Sequence, residues 1–305
     1  MKRKTPSSSV EELSVSTYQT YLNIGYKKIC KCPPNKLSCI SAKEWIKCQV
    51  AIWEFFYEKR DLRDKDIHPA VFPIALPKRC IELFTHEGEL VIDPFVGSGS
   101  TLIAAKDLNR NAVGFDLNKK YIDLCNERLS QEQNLFSTTQ QIAICDDAIN
   151  IPKYIKENTV SLIVTSPPYA CMLNRPRLNK SLRGELRENK HFLKIQQYSN
   201  NPRDLGTMDP KNYVQALKEI YKGLLPLLKP KAHCVINITD LWWDNKRIPL
   251  HSFIIEALEE VGYELRNIII WDRRKIVNNV GIFGWPSNYI TLGTTFEYIL
   301  DFWRP

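Results

Sequence analysis

Ser161-Leu-Ile-Val-Thr-Ser-Pro-Pro-Tyr169 is an apolar run that ends on a hydroxyl, two prolines and an aromatic ring. Leu162, Ile163 and Val164 read as an interior strand, and two prolines cannot continue its hydrogen-bond ladder, so the chain leaves the sheet at Ser166. The carboxyl end of a strand in an open α/β sheet is where ligands bind. Pro167 and Pro168 fix the backbone there and free carbonyls to face a ligand. Such a rigid, acceptor-rich lip suits transfer to an exocyclic amino group of a nucleobase, whose N–H groups need acceptors. Ser166 and the Pro167 carbonyl supply them, and Tyr169 can stack on a base swung out of its helix. The plainer alternative is a proline-terminated strand with a packing tyrosine.

A second chemical stretch lies upstream. Leu90-Val-Ile-Asp-Pro-Phe-Val-Gly-Ser-Gly-Ser-Thr101 reads as a strand, a tight turn at Gly97 and Gly99, and a helix from Ser100 or Thr101 through Leu108. Gly97 and Gly99 allow positive φ and close backbone approach, and the helix start adds N–H donors, as a nucleotide-like ligand requires. The third glycine of the dinucleotide fingerprint is missing. A carboxylate and a ring, Asp93 and Phe95, are both attractive to a cation. The next strand, Ala112 to Asp116, ends in an acid about 20 residues beyond the glycines, where ribose hydroxyls are commonly held. A third, Ile142-Ala-Ile-Cys-Asp-Asp-Ala148, ends in the two acids Asp146 and Asp147.

Ser-Pro-Pro-Tyr and Asp-Pro-Phe-x-Gly-Ser-Gly resemble the catalytic motif and the S-adenosylmethionine loop of the amino-group DNA methyltransferases, which modify N4 of cytosine or N6 of adenine. The serine form is more similar to the cytosine-N4 branch. The resemblance covers about His68 to Trp303 and implies cofactor contacts from Asp93, Pro94, Phe95, Gly97, Ser98, Gly99, Ser100 and Thr101. Asp116 is expected on the ribose, and Asp147, with Asp146 close behind, on the adenine amino group. His68-Pro-Ala-Val-Phe-Pro73 resembles the segment that walls the methionine end of the cofactor pocket, through His68, Phe72 and Pro73. Ser166, Pro167, Pro168 and Tyr169 are the expected catalytic residues, with direct methyl transfer and no covalent intermediate. A cytosine-C5 enzyme would need a nucleophilic cysteine, usually after proline, and Cys32-Pro33 has the reverse order. Adenine-N6 methylation, RNA base methylation and an idle DNA-binding subunit are the alternatives.

These motifs must be carried by a scaffold. Strands alternating with helices predict a doubly wound, mostly parallel α/β sheet, Rossmann-like, of the class I methyltransferase kind. Helices are expected at Ile74 to Phe84, near Tyr213 to Leu227 and near Leu250 to Val261. Further strands are expected at Ala232 to Ile238, Glu264 to Trp271 and Thr294 to Phe302, the last two as an antiparallel edge hairpin. Residues 67–305 are expected to form the methyltransferase domain. Residues 1–66 would be an arm and one amphipathic helix, Ala42 to Tyr57, for recognition or dimerisation.

The connection at about 170–210 exceeds ordinary loop length. From Arg175 to Arg203 it holds eight Lys/Arg against two Glu, most of the chain's net charge of +8. Arg175, Arg177, Lys180, Arg183, Arg187, Lys190, Lys194 and Arg203 are expected on DNA phosphates, the alternative being a solvated basic loop. Arg273, Arg274 and Lys275, followed by Asn278, Asn279, Phe283 and Trp285, form a second candidate surface. Family members with this motif order often carry a recognition domain after the last strand. Here recognition is expected from residues 1–66, the 170–210 insertion, the 273–290 loop or a partner.

With 305 residues, 44% of them apolar, the chain can bury a full core. No run of about 18 apolar residues and no signal-peptide core is present, and nine cysteines suit reduced thiols, so an intracellular location is expected. Cys30, Cys32, Cys39 and Cys48 lack a paired Cys-x-x-Cys knuckle, so ordinary thiols and no metal are expected. Double-stranded DNA is the implied partner; a homodimer and a companion restriction endonuclease are left open.

Overall fold

The structure is a computed structural model. It describes residues 21–62, 72–132, 138–170, 201–244, 246–276 and 293–305, together with the backbone of four two-residue strands. The chain opens with α1 (Ala42–Lys47), β1 (Ile52–Glu54), α2 (Lys59–Leu62) and α3 (Ala75–Phe84). It continues through β2 (Leu90–Asp93), α4 (Ser100–Asp107), β3 (Asn111–Asp116), α5 (Lys119–Gln131), β4 (Gln141–Cys145) and β5 (Val160–Thr165). The short β6 (Asn179–Lys180) and β7 (Leu186–Arg187) precede α6 (Pro210–Leu224), β8 (Leu228–Ile238), β9 (Leu241–Trp243), β10 (Lys246–Ile248) and α7 (Leu250–Val261). β11 (Glu264–Asp272), β12 (Gly284–Trp285), β13 (Tyr289–Ile290) and β14 (Phe296–Trp303) complete it.

Eight strands form one sheet in the order β1-β11-β14-β8-β5-β2-β3-β4. All neighbours pair in parallel except β14, which runs against both β11 and β8. The Rossmann-like α/β expectation holds. β2, β3 and β5 are buried nearly end to end, as strands covered on both faces must be. One apolar layer gathers β3, β8 and β14 against α6 and α7, with Phe115, Tyr213, Tyr221 and Phe302 buried. The other packs α3 and α4 under Val91, Leu162 and Val164.

Two expectations need correction. The antiparallel pair β11–β14 exists, but it is not the sheet edge, because β1 adds outside β11 with Trp53 opposite Trp271. The amphipathic helix expected from Ala42 to Tyr57 is also shorter. α1 has a capping box between Ser41 and Glu44 but ends at Cys48, and β1 follows. Ile52, Trp53, Glu54 and Phe55 alternate exposed, buried, exposed, buried, the two-residue period of a strand. Val50, Trp53 and Phe56 also fit a helical spacing, so apolar spacing alone did not separate the two.

Candidate active site

β2, β3, β4 and β5 all deliver their carboxyl ends to one side of the sheet, where α4, α5 and the short turn of 3-10 helix at Ala148–Lys153 begin. Asp93 closes β2 and is fully buried. Its Oδ1 accepts from the Phe95 N–H (3.0 Å) and Thr165 Oγ1 (2.5 Å), and its Oδ2 from Thr101 Oγ1 (2.5 Å). Burial pushes its carboxyl up to about 6. The Thr165 bond joins the glycine turn to the strand that ends in Ser166, so the two sequence motifs meet directly.

Both Asp93 oxygens thus accept hydrogen bonds from the scaffold. Ser98, Ser100 and Thr101 are likewise buried within it. Ser98 accepts twice from the Arg128 guanidinium (2.8 and 2.9 Å), and Ser100 Oγ donates to the Phe72 carbonyl (3.1 Å). Pro94 and Pro73 are buried, and Phe95 and Phe72 are half-buried. The left-handed φ angles of Gly97 (48°) and Gly99 (90°) make the turn possible. A Cβ on Gly99 would sit 2.4 Å from Cys125 Sγ, so α5 packs against the turn itself.

Asp116 closes β3 on the open side. It accepts from Gly97 N–H (3.1 Å) and Asn118 N–H (2.8 Å), and burial raises its carboxyl to about 7. An acid desolvated this far, with two backbone donors, is well matched to further hydroxyl donors such as those of a ribose. Asp146 accepts from Asp147 N–H (2.7 Å), Asn150 Nδ2 (2.9 Å) and Tyr154 OH (2.7 Å). Burial opposes its charge, but these bonds outweigh it and hold the carboxyl below its ordinary range. Asp147 caps the short helix through Ile149 N–H (3.0 Å) and pairs with Arg203.

The catalytic side is built by four strands. Tyr169 OH donates to Glu297 Oε2 (2.8 Å) and receives Asn237 Nδ2 (3.0 Å); Ser166 Oγ lies 3.2 Å from the same hydroxyl. Asn237 Nδ2 also reaches Glu297 Oε2 (2.6 Å), and Arg273 pairs with Glu297 Oε1. Burial first, then the nearby Glu297 charge, raises the Tyr169 hydroxyl well above its ordinary value. Its one proton is committed to Glu297, so at the Ser166 contact Ser166 is the donor. The remaining lone pairs of Ser166 Oγ are then acceptors. Asn237 Oδ1 adds a buried acceptor with no partner among the described residues. Asn237 and Glu297 were not expected; each is one of several polar residues in its strand, beside His233 in β8 and Asp301 in β14, and nothing in the sequence sets it apart.

The basic candidates divide. Arg203 lies on Asp147, Arg273 on Glu297 and over the Trp271 ring (4.8 Å), Arg274 on Asp272 (2.6 Å) and Lys275 on Glu54 (2.6 Å). Of these four, Arg203, Arg274 and Lys275 stay largely exposed in their ion pairs, whereas Arg273 is turned into the site. His68, Arg175, Arg177, Arg183, Lys190, Lys194, Asn278, Asn279 and Phe283 lie outside the described residues; Lys180, Arg187 and Trp285 have only their backbone described. Among the described residues, no helix is long and apolar enough to cross a membrane.

An open α/β sheet thus carries a glycine turn and, beside it, a cluster of polar side chains at one carboxyl edge. Residues 11–127 match the N6_N4_Mtase family model, described as DNA methylase. That stretch holds the glycine turn and Asp116 and stops short of Ser166. The chain is 36% identical over 113 residues to the type II methyltransferase M.HpaI of Haemophilus parainfluenzae, covering 37% of this chain and 36% of that one. It is 45% identical over 71 residues to M.HindIII of Haemophilus influenzae, covering 23% of each, and 38% identical over 91 residues to M.BglI of Bacillus subtilis, covering 30% and 25%. The matches thus span about a quarter to a third of these relatives' own length. Among solved structures, TrmN from Thermus thermophilus aligns over 80% of this chain and 53% of its own, with 15% identity and a TM-score of 0.48.

Proposed function

We propose that the protein is an S-adenosylmethionine-dependent DNA methyltransferase acting on an exocyclic amino group, the N4 of cytosine. The observation that carries this reading is the direction of the hydrogen bonds at the lip. With Tyr169 donating to Glu297, the half-buried Ser166 Oγ keeps acceptor capacity beyond its long contact from Asn237 Nδ2 (3.5 Å), and the buried Asn237 Oδ1 is a further acceptor without a partner among the described residues. Acceptors recognise N–H groups, so an amino nitrogen fits this edge and a ring carbonyl does not. The family model matched over residues 11–127 is described as DNA methylase, and the relatives that match part of the chain are named as type II methyltransferases, which favours DNA over RNA.

The cofactor turn fits a nucleoside through the side-chain-free Gly97 and Gly99 and through Asp116, with Asp147 and Asp146 at the end of β4. When bound, S-adenosylmethionine supplies an electrophilic methyl carbon on sulfur. The chain's part is positioning and electrostatics. Asp93 and Thr165 fix the spacing between turn and lip, Tyr169 offers its ring face to the extruded base, and Ser166 and the Pro167 carbonyl hold the amino hydrogens. Arg175, Arg177, Lys180, Arg183, Arg187, Lys190 and Lys194 neutralise phosphates beside that base.

The test is transfer of label from methyl-labelled S-adenosylmethionine to duplex DNA and, in parallel, to RNA. Label enters DNA, and Ser166→Ala lowers that transfer while still binding the cofactor. Label in RNA alone, or undiminished transfer by Ser166→Ala, contradicts the proposal.

A further inference from the structure

Cys30, Cys32, Cys39 and His86 gather at the amino-terminal end of β2, the opposite end of that strand from Asp93. Three sulfurs and one imidazole nitrogen lie within 4.8 Å of one another. We propose that this cluster is a structural zinc site with three thiolate ligands and His86 Nδ1.

The hydrogen bonds of His86 point there first. Its Nε2 lies 2.8 Å from the Lys36 carbonyl, which accepts only, so the ring proton is on Nε2 and Nδ1 presents a bare lone pair. That lone pair faces two sulfurs equally, Cys30 Sγ at 3.4 Å and Cys39 Sγ at 3.5 Å. One lone pair accepts one thiol proton, so thiols alone leave a contact unexplained, whereas a cation between the groups satisfies all of them. A tetrahedral zinc with Zn–S of about 2.3 Å and Zn–N of about 2.0 Å sets sulfur and nitrogen about 3.5 Å apart. The observed separations match that edge.

The surroundings are those of a metal ligand set. The Lys36 carbonyl orients the imidazole from behind, as the outer partners of metal-bound histidines do. The Glu87 N–H donates to Cys39 Sγ (3.5 Å), which stabilises a thiolate. Three thiolates around a divalent ion leave one net negative charge, and the Lys28 and Lys36 ammonium groups lie near it, on the carbonyls of Cys32 (3.0 Å) and Cys39 (3.2 Å). His86 is 6% exposed. Among the described residues, 21–40 form no helix or strand, so a metal linking them to the turn before β2 supplies order that local structure does not.

The expectation of ordinary thiols without a metal is revised here. Cys48, the fourth thiol weighed with these three in the sequence, ends α1 and packs on the apolar layer beneath it. The fourth ligand is a histidine 47 residues beyond Cys39, too far for spacing rules to find. A mononuclear set of three sulfurs and one nitrogen at tetrahedral spacing selects zinc over harder divalent ions.

The full chain, purified without chelator, should contain one zinc per molecule by elemental mass spectrometry. His86→Ala and Cys39→Ser should lose most of it, and Cys48→Ser should keep it. Exchange of cobalt into the unmutated chain gives the visible bands of tetrahedral cobalt thiolate, a readout that does not depend on a variant folding. Metal-free protein with reduced thiols and no cobalt bands overturns the proposal. So does a disulfide among the three cysteines, or iron in place of zinc.

Discussion

Glu297 accepts from Tyr169, Asn237 and Arg273, and through Tyr169 it decides what Ser166 can do. Arg273 donates only, so it keeps an oxygen of residue 297 facing it, and in Glu297→Gln the amide nitrogen must then face Tyr169. Tyr169 OH would accept from it, donate to Ser166 and turn the Ser166 proton toward the substrate. Glu297→Gln is therefore expected to lower methyl transfer roughly 100-fold with unchanged cofactor affinity, measured by single-turnover transfer and by calorimetric titration of S-adenosylmethionine. A second residue effect concerns pH. The Asp116 carboxyl sits near 7 when folded, against 3.8 for the ordinary group, so between these values the folded state holds a proton that the unfolded state has released. Its contribution favours folding at low pH and is lost as pH rises through that window. Asp116→Asn removes this penalty. Urea unfolding of the cofactor-free protein should show the variant gaining on the parent by about 3 kcal/mol between pH 4 and 7.

At the scale of elements, the turn between β2 and α4 is held by contacts that leave no room for a side chain. Gly99→Ala places a methyl 2.4 Å from Cys125 Sγ at a φ of 90°. The expected cost is about 3 kcal/mol, of which Cys125→Ala should return the clash and not the backbone strain, about 1 kcal/mol or more. Chemical denaturation of the single and double variants measures the two parts. This turn was legible in the sequence because glycine types, strand run and helix start all pointed to one geometry. The lip was legible for the same reason: Pro167 and Pro168 forbid a continued ladder. β1 was not, because Trp53 and Phe56 fit a helical as well as an extended reading, and pairing with β11, more than 200 residues away, decided between them. The Asn237–Glu297 bond also joins distant strands, and each residue alone looks like a chance polar position.

Over the whole molecule, charge is distributed differently from its sequence order. Two basic stretches were read as candidate DNA surfaces, and within them Arg203, Arg273, Arg274 and Lys275 each pair with an acid of this chain. Composition reports how many charges there are; only the fold reports which are paired. The amino-terminal segment is joined to the core in a similar way. Leu22 N–H bonds to the Tyr154 carbonyl (2.8 Å), Ile29 N–H to that of Glu87 (2.9 Å), and β1 extends the sheet. On the proposed function, one continuous site, bound together by Asp93 and Thr165, moves a methyl group onto a base amino nitrogen held by Ser166. The most direct measurement is nucleoside mass spectrometry of DNA digested after incubation with the purified protein and labelled S-adenosylmethionine. Labelled N4-methylcytosine, reduced in Ser166→Ala, is the predicted result; labelled N6-methyladenine, or labelled RNA nucleosides in place of DNA ones, would contradict it.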